Sequence, residues 1–385
     1  MNSKERVKRA FHYEKPDRVP IFCKYVLKSD FLYSILFNPK LWQPKDYPPH
    51  VSGGVNSISK LYYRIFVYNW KKETRKRANK AKKWWKCPHL SIDEWGILWK
   101  SAGAESNDIT KGHPFLGPLQ ESWDNLDDFK IPDGSDQDRF RLMRNGLWKI
   151  FAKNRYTVGA LGVNGFFNLC SQLRGFNNVL IDFKRNPKNV SLLIKEIESY
   201  YLIQIEEFKN QYPKLDSIYI ADDLGTQKSP FISPSIFKSF FKDSYKKIVD
   251  LTHDLGMDFI FHSCGQIFEL MPNLIETGIN IFQFDSPLMT GVENFESFTE
   301  EKEVSFWLSS NIQSTYILGT PGEVENEIKY YIKHIGKENG GLAIYEYDAN
   351  KTIGAPKENI IAQRRATQKW GKYNKDGIID WLCRV

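Results

Sequence analysis

The chain has 385 residues, of which 41% are hydrophobic and 26% are charged. This composition is typical of a globular protein and excludes a disordered or collagen-like chain. No run approaches the roughly 18 uncharged apolar residues of a transmembrane helix, and the N-terminus lacks the apolar segment of a secretory signal. We therefore expect a cytoplasmic protein without a membrane span.

The net charge of +8 comes from one segment. Residues 71–86, KKETRKRANKAKKWWK, hold nine Lys or Arg and one Glu, which accounts for the whole excess. Proteins that bind nucleic acid usually spread positive charge over a face, so we expect no nucleic acid partner. The segment is interpreted either as a solvated charged helix or as a docking site for an acidic partner or a membrane surface.

Short apolar segments alternate with longer helical ones, a pattern that predicts βα units around a parallel sheet. We predict strands at residues 19–25, 157–163, 217–223, 258–264, 279–285, 304–310 and 342–348, with an eighth near 91–99. Because no Gly-rich dinucleotide loop is present, the pattern favours an α/β fold of the (β/α)8 (TIM) barrel type over a doubly wound sheet. We interpret residues 1–385 as a single barrel domain with an elaborated N-terminal region and a basic insertion around 40–90.

Ionisable residues follow the apolar bodies of several predicted strands. These residues are Asp222, Asp223, His262, Cys264, Asp285, Glu346 and Asp348. Active sites of (β/α)8 barrels lie at the C-terminal ends of their strands. The pattern therefore predicts an enzyme with a small-molecule substrate.

His262 and Cys264 are two residues apart on a predicted strand, so their side chains share a face. Imidazole and thiolate are both zinc ligands, and a catalytic zinc site needs about three protein ligands. Glu346 and Asp348 also share a face, and either could supply the third ligand. The alternatives are a packed His–Cys pair without metal, and carboxylates that pair with Lys or Arg or cap a loop.

Asp222 and Asp223 form a second candidate group. Adjacent residues on a strand point in opposite directions, so we expect at most one of them in the pocket, where it could orient a substrate or act as a general acid or base. The other would bind backbone amides of the next helix. Gln227 and Asp285 complete the candidate catalytic set.

Several segments resemble the uroporphyrinogen decarboxylase superfamily, in particular its methylcobalamin:coenzyme M methyltransferase-like branch. They are the opening SKERVKRAFHYEKPDRVPIF, the central IADDLGTQKSPFISPSIFKSFF and HSCGQIFELMPNLIETGIN, and the later ILGTPGEVENEIKYYI and GAPKENI. They occur in family order along nearly the whole chain, and residues 40–90 match least. The resemblance implies a (β/α)8 barrel with its pocket at the strand C-termini.

In the methyltransferase branch, zinc is bound by an H-x-C pair and a later cysteine. The pair corresponds to His262 and Cys264, but the expected place of the later cysteine lies near Ala349, where there is none. The resemblance therefore implies a zinc site in which Glu346 or Asp348 substitutes, with harder, less electron-rich donors.

Two further segments bear on the substrate. The decarboxylase branch binds substrate carboxylates through an early arginine-rich motif, and here that place has Lys24 and Lys28 instead. Lysine does not replace the bidentate geometry of arginine, so we disfavour porphyrin decarboxylation. Asp93 and Glu94 resemble a family segment near the pocket mouth and are candidate substrate-binding residues.

The hypothesis from the sequence is a zinc-assisted, corrinoid-dependent methyltransferase. It would move a methyl group between the cobalt of a corrinoid, such as methylcobalamin, and a small thiol or methylated substrate, and the corrinoid could be carried by a partner protein. One alternative is a metal-free decarboxylase or lyase of the same superfamily. The other is a non-catalytic homologue that binds a corrinoid or a partner.

Overall fold

The computed structural model describes residues 1–23, 26–35, 90–100, 113–127, 129–162, 164–302, 304–347, 350 and 353–382. The strands are β1 (Ile21–Phe22), β2 (Phe31–Ile35), β3 (Leu90–Ile92), β4 (Leu98–Lys100), β5 (His113–Leu116), β6 (Tyr156–Gly162), β7 (Ser217–Ala221), β8 (Asp258–His262), β9 (Ile281–Phe284), β10 (Ser305–Leu308) and β11 (Leu342–Tyr345). Eight of them form one parallel sheet in the order β1-β11-β10-β9-β8-β7-β6-β2. The sheet curves into a nearly closed barrel, which confirms the predicted fold class.

Helices follow most of the barrel strands. They are α1 (Ser3–Phe11), α2 (Arg141–Arg144), α3 (Gly146–Ala152), α4 (Phe166–Arg174), α5 (Phe176–Arg185), α6 (Pro187–Gln211), α7 (Pro234–Phe240), α8 (Lys242–Asp254), α9 (Met271–Ile275), α10 (Val292–Lys302), α11 (Thr315–Leu318), α12 (Pro321–His334) and α13 (Lys357–Trp370). Local sequence explains where they begin. At α12, the side chain of Thr320 accepts from the amide of Glu323 while the Glu323 carboxylate accepts from the amide of Thr320, a reciprocal cap that satisfies two otherwise free donors.

Asp30 joins the two ends of the curved sheet. Its amide donates to the carbonyl of Ile21 at 2.9 Å, and its side-chain Oδ2 accepts from the amide of Ile21 at 2.9 Å. Arg6 and Arg18 both pair with this buried carboxylate, at 2.8 and 3.0 Å. Two guanidinium groups compensate the buried charge, and the loop before β2 therefore closes the barrel next to β1.

The eighth barrel strand is β2, and the prediction of a barrel strand near residues 91–99 is wrong. That segment belongs to β3 and β4, which pair antiparallel with each other and, through β4, with β5 in a separate three-stranded sheet. A short apolar segment between turns has the same sequence pattern in a hairpin as in a barrel strand. Only its pairing partner distinguishes the two.

Aromatic rings fill the barrel interior. The Phe31 and Trp307 rings stack with centroids 4.4 Å apart at an angle of 11°. The centroid of the Tyr33 ring lies 5.8 Å from that of Trp307. Tyr219 contacts Tyr33 at 5.9 Å and extends the cluster toward the end of β7. The barrel interior is thus filled by packed aromatic side chains.

Some predictions lie outside the described residues. These are Lys24, the basic segment 71–86, the insertion around 40–90 apart from Leu90, and Asp348. Within the part of the chain that the structure describes, no helix has the length and apolar character needed to cross a membrane.

Candidate metal centre

The C-terminal ends of the neighbouring strands β7 and β8 lie side by side. Ala221 pairs with His262 in the parallel register, and the amide of Asp222 donates to the carbonyl of His262 at 2.9 Å. Because the two strands end at the same position in the sheet, Asp223 and Cys264, which follow them, lie next to each other. The Cys264 amide donates to Oδ1 of Asp223 at 2.8 Å, and this hydrogen bond holds the two residues together.

The loops that follow these strands are in backbone contact. The amide of Gln266 donates to the carbonyl of Thr226 at 2.7 Å. Gly265 has a φ of +79°, and a Cβ atom there would lie 2.4 Å from the carbonyl carbon and oxygen of Gly225. Only glycine combines this left-handed conformation with so close a backbone approach. The two loops therefore hold Asp223 and Cys264 on one rigid support.

Three ligand-type atoms converge at this point. Nε2 of His262 lies 3.4 Å from Sγ of Cys264 and 3.5 Å from Oδ1 of Asp223, and all three ligand atoms lie within 4.8 Å of one another. Among the described residues, this is the only group of three or more His, Cys, Asp or Glu side chains at such distances. His262 is buried, whereas the Asp223 side chain is 46% exposed, so the cluster opens toward solvent on the Asp223 side.

Neighbouring groups orient the His262 ring. Its Nδ1 lies 3.1 Å from the carbonyl oxygen of Gln283 on the adjacent strand β9. A carbonyl only accepts, so Nδ1 carries a proton and Nε2 faces Cys264 and Asp223. The Gln283 side chain in turn donates to Asp285 at 2.9 Å, and the ring of Tyr219 stacks on His262 at 6.3 Å.

Burial and charge shift the titration of all three side chains. Burial raises the pKa of the Cys264 thiol to about 12. Burial lowers the pKa of His262, but Cys264 and the carboxylates of Asp285 and Asp223 raise it by more, and the net pKa lies well above the ordinary value. Desolvation raises the pKa of Asp223, but the hydrogen bond and charge of His262 lower it by more. Metal binding here would release protons from the imidazole and the thiol.

Comparison with known proteins places the chain in a family. The model of the family described as uroporphyrinogen decarboxylase (URO-D) matches residues 97–366. The chain belongs to the uroporphyrinogen decarboxylase family. This match spans β6 to β11 and therefore includes the whole three-residue cluster of Asp223, His262 and Cys264.

Solved structures were compared as well. A methyltransferase from Methanosarcina mazei is similar at 16% identity with a TM-score of 0.48, over 67% of this chain and 71% of that chain. A D-psicose 3-epimerase, in a crystal structure in the presence of D-fructose, is similar at 12% identity with a TM-score of 0.38, over 64% and 85% of the two chains. A search of the curated proteins found no match.

The cluster in this URO-D family chain has the donor set and spacing that zinc requires. Bonds of ~2.0 Å to imidazole and ~2.3 Å to thiolate at a tetrahedral angle separate nitrogen and sulfur by about 3.5 Å, and the separation here is 3.4 Å. The proton on Nδ1 leaves Nε2 as the ligand atom, with the Gln283 carbonyl as its outer partner. The residues present therefore fit a zinc ion with three protein ligands.

Asp222 and Asp223 have separate surroundings. Asp222 is fully buried and accepts from the amides of Phe167 and Asn168 at 2.9 and 2.8 Å and from the Tyr245 hydroxyl at 2.6 Å. Burial raises the pKa of Asp222 to about 7, although these hydrogen bonds lower it. Asp222 thus caps α4, the helix that follows β6, rather than the helix after its own strand, whereas Asp223 joins the cluster.

Three of the other predicted catalytic and metal-binding residues have partners outside the cluster. Asp285 is buried and accepts from the side chain of Gln283. Gln227 is exposed on the loop after β7 and donates to the side chain of Gln313 at 3.3 Å. Glu346 is buried and pairs with Arg364 at 2.5 Å. The structure does not bring Glu346 to the cluster, and Asp348 lies outside the described residues.

The two predicted substrate-binding residues hold local structure. Asp93 accepts from the amides of Trp95 and Ile97 at 2.9 and 3.0 Å and so closes the turn between β3 and β4. Glu94 pairs with the buried guanidinium of Arg139, which donates to it at 2.9 Å. Their contact with a substrate stays a prediction.

Sequence reasoning missed Gln283 and the place of Asp223 in the three-residue cluster. Gln283 is the single polar residue in the otherwise apolar β9 segment IFQF, a signal that was available. Nothing in the sequence distinguishes Asp223 from Asp222, because the choice depends on where the N-terminus of α4 lies.

Proposed function

We propose that this URO-D family member is a corrinoid-dependent, zinc-assisted methyltransferase that moves a methyl group between the cobalt of a corrinoid and a small thiol or methylated substrate. The observation that carries the proposal is the convergence of Nε2 of His262, Sγ of Cys264 and a carboxylate oxygen of Asp223 within 4.8 Å. This cluster lies at the strand C-termini, where barrels of this type carry their chemistry.

Zinc at this position would stabilise a substrate thiolate or polarise the heteroatom that carries the methyl group. Other residues of the chain would hold the metal-binding side chains in position and orient the substrate. The Gln283 carbonyl fixes the ring of His262, and the amide of Cys264 fixes Asp223. In this proposal, Asp285 and Gln227, the latter on the exposed loop after β7, would orient the substrate. The exposed side of Asp223 leaves an approach for the fourth ligand.

Asp223 takes the place of the second thiolate, and so supplies the third ligand, in this proposal. A carboxylate is a harder and less electron-donating ligand than a thiolate, so zinc held by one imidazole, one thiolate and one carboxylate is a stronger Lewis acid than zinc with two thiolates. This favours the activation of a methylated substrate whose leaving heteroatom must be polarised. The same difference predicts tighter binding of oxygen ligands and weaker binding of soft cations.

The metal-free decarboxylase is less well supported. That alternative expects no convergence of His262 and Cys264, yet their ligand atoms lie 3.4 Å apart. It also expects cationic side chains for substrate carboxylates, and Lys28, in the place of the family arginines, is exposed on the loop before β2.

A corrinoid protein as methyl carrier remains part of the methyltransferase proposal, in agreement with the need to deliver a large cofactor to an exposed site.

The test begins with metal content. The protein is purified without oxygen, dialysed, and analysed for zinc beside Cys264→Ser, Asp223→Asn and the control Asp250→Asn. Asp250 is matched because its side chain is 49% exposed, close to the 46% of Asp223. We expect stoichiometric zinc in the wild type and the control, and loss of most of it in the two cluster variants. Equal zinc in all four proteins would refute the metal site.

Activity is measured next. Methylcobalamin is mixed with a small thiol, and demethylation is followed by the absorbance change of the corrinoid. We expect turnover that requires both zinc and Cys264, and a methylated thiol as product. If the zinc-loaded protein transfers no methyl group in either direction, but binds a corrinoid protein, the non-catalytic alternative replaces this proposal.

A further inference from the structure

Three neighbouring barrel strands contribute to a chain of polar contacts around His262. Tyr219 lies on β7 and pairs with Ile260, two residues before His262 on β8. Gln283 lies on β9 and pairs with His262 itself. Because paired residues of parallel strands and residues two apart on one strand share a face, the side chains of Tyr219, His262 and Gln283 lie on the same face of the sheet.

The side chain of Tyr219 spans the distance from β7 to β9. Its ring stacks on the imidazole of His262 with centroids 6.3 Å apart at an angle of 30°, and its hydroxyl donates to Oε1 of Gln283 at 3.4 Å. Since β8 lies between these two strands, this hydrogen bond crosses the strand that carries His262. The imidazole is therefore contacted by the ring of Tyr219 and, at Nδ1, by the carbonyl of Gln283.

The Gln283 amide has one orientation that satisfies both of its partners. Its Nε2 donates to Oδ1 of Asp285 at 2.9 Å, and an ionised carboxylate only accepts. The amide oxygen is therefore turned toward Tyr219 and accepts from its hydroxyl. Tyr219 and Gln283 are only 2% and 3% exposed, so water cannot replace a partner that is removed.

We propose that Tyr219 and the side chain of Gln283 are positioning residues of the metal centre. Through the hydrogen bond between them, the ring of Tyr219 keeps the imidazole of His262 in the plane that points Nε2 at Cys264 and Asp223. The inference rests on the zinc site of the proposed function, but it concerns two side chains that bind neither zinc nor substrate. Their effect appears in the affinity and geometry of the metal site and can be measured without methyl transfer.

Metal titrations of the full chain test the proposal, with zinc for affinity and cobalt(II) for geometry. Zinc is a d¹⁰ ion without visible bands, whereas cobalt(II) absorbs visible light in bands that depend on its ligand geometry. Tyr219→Phe keeps the ring and removes the hydroxyl, and Gln283→Met keeps the length of the side chain and removes both hydrogen bonds. The double variant is measured as well. All three retain the backbone carbonyl that contacts Nδ1 of His262.

Two variants match these changes elsewhere in the barrel. Tyr373→Phe removes a buried hydroxyl that donates to the carbonyl of Gly336 at 2.8 Å. Gln363→Met removes a fully buried amide that accepts from the amide of Ser310 at 2.8 Å and donates to the carbonyl of Tyr345 at 3.0 Å. Urea unfolding of all the variants separates a general loss of stability from an effect on the metal site.

We expect Tyr219→Phe and Gln283→Met each to weaken zinc binding by about tenfold, the lower end of the range for outer partners of metal ligands, and to change the cobalt(II) spectrum. The two controls should lose stability but keep the wild-type affinity and spectrum. Because the hydroxyl acts through the amide, the double variant should bind zinc about as weakly as Gln283→Met alone, the non-additivity of residues in one network.

Wild-type affinity and spectrum in Tyr219→Phe or in Gln283→Met would overturn the proposal and leave the zinc site standing. So would a double variant whose loss of affinity equals the product of the two single losses. A wild-type chain that binds neither ion would instead refute the zinc site, and this inference with it. If Gln283→Met does not fold, the affinity and spectrum of Tyr219→Phe decide, because this variant removes one hydroxyl and keeps the ring.

Discussion

The contact between Gly225 and Gly265 supports a quantitative prediction about the metal centre. In Gly265→Ala, the new Cβ atom would lie 2.4 Å from the carbonyl carbon and oxygen of Gly225 and 2.6 Å from the carbonyl oxygen of Thr226. All three are backbone atoms, so no flexible side chain can move away. The two loops must separate, and Cys264 must move relative to Asp223.

A matched glycine isolates this steric effect. Gly256, at the end of α8, has a φ of +70°, but a Cβ atom there would meet nothing within 4 Å. A left-handed residue with a side chain costs roughly 1–2 kcal/mol, and the lower entropy of the unfolded alanine chain offsets part of it, so Gly256→Ala should cost about 1 kcal/mol. Overpacking adds roughly 1–3 kcal/mol, so Gly265→Ala should cost about 2–4 kcal/mol.

Urea unfolding of the chelator-treated proteins measures the free energies, and zinc titration measures the consequence for the site. We expect Gly265→Ala to weaken zinc binding by roughly 10–100-fold, the range for changes next to metal ligands, and Gly256→Ala to leave it unchanged. The reasoning is refuted if the two variants lose the same stability, or if Gly265→Ala binds zinc like the wild type.

Three further predictions concern the barrel and its surroundings. Trp307→Ala removes the buried ring that stacks on Phe31 and should cost about 3–5 kcal/mol in urea unfolding; a loss below about 1 kcal/mol would contradict the packed interior. Asp182→Ala removes the buried acceptor 2.7 Å from Nε of Arg174 and should cost about 3 kcal/mol, measured by the same unfolding assay. Burial raises the pKa of Glu198, but hydrogen bonds from two lysines and a serine lower it below its ordinary value. Its ionised form therefore stabilises the protein at neutral pH, and this contribution is lost as pH falls through the lowered pKa. Glu198→Gln should be less stable than the wild type by about 1–2 kcal/mol at neutral pH, and the difference should vanish in acid; a difference independent of pH would contradict the assignment.

The order of the barrel was largely predictable from the chain. Strands β7 to β11 coincide with apolar, β-branched or aromatic segments that lie between helices. Their side chains are buried on both faces of the sheet, so the local sequence pattern and the tertiary structure agree. β2 was not predictable, because Phe31–Ile35 follows β1 after a short loop rather than after a helix. Asp30, one residue before β2, contacts Ile21 and the side chains of Arg6 and Arg18, and these contacts leave no periodic signal in the sequence.

The sequence predicted which side chains carry the chemistry of the candidate site, but not which residues they contact. The two-residue spacing of His262 and Cys264 predicted a shared direction, and their ligand atoms lie 3.4 Å apart. The strand ends at His262, however, so the pleat of the strand does not position Cys264. A hydrogen bond from the Cys264 amide to the Asp223 carboxylate positions it instead. Hydrogen bonds between loops from different strands depend on the assembled barrel, so a single sequence does not specify them.

The choice between Glu346 and Asp223 as the carboxylate ligand of the proposed zinc site follows from how each charge is already compensated. Glu346 lies at the end of β11 with its carboxylate 2.5 Å from the guanidinium of Arg364 on α13, and a buried carboxylate with such a partner gains little from a second cation. The ion pair of Asp223 among the described residues is with His262, 3.5 Å away. A zinc ion would replace the imidazole proton in that pair, so that the attraction between carboxylate and cation is kept and strengthened. Asp222 contributes to this difference, because its cap anchors the end of β7 to α4 while the next residue, Asp223, faces His262 and Cys264.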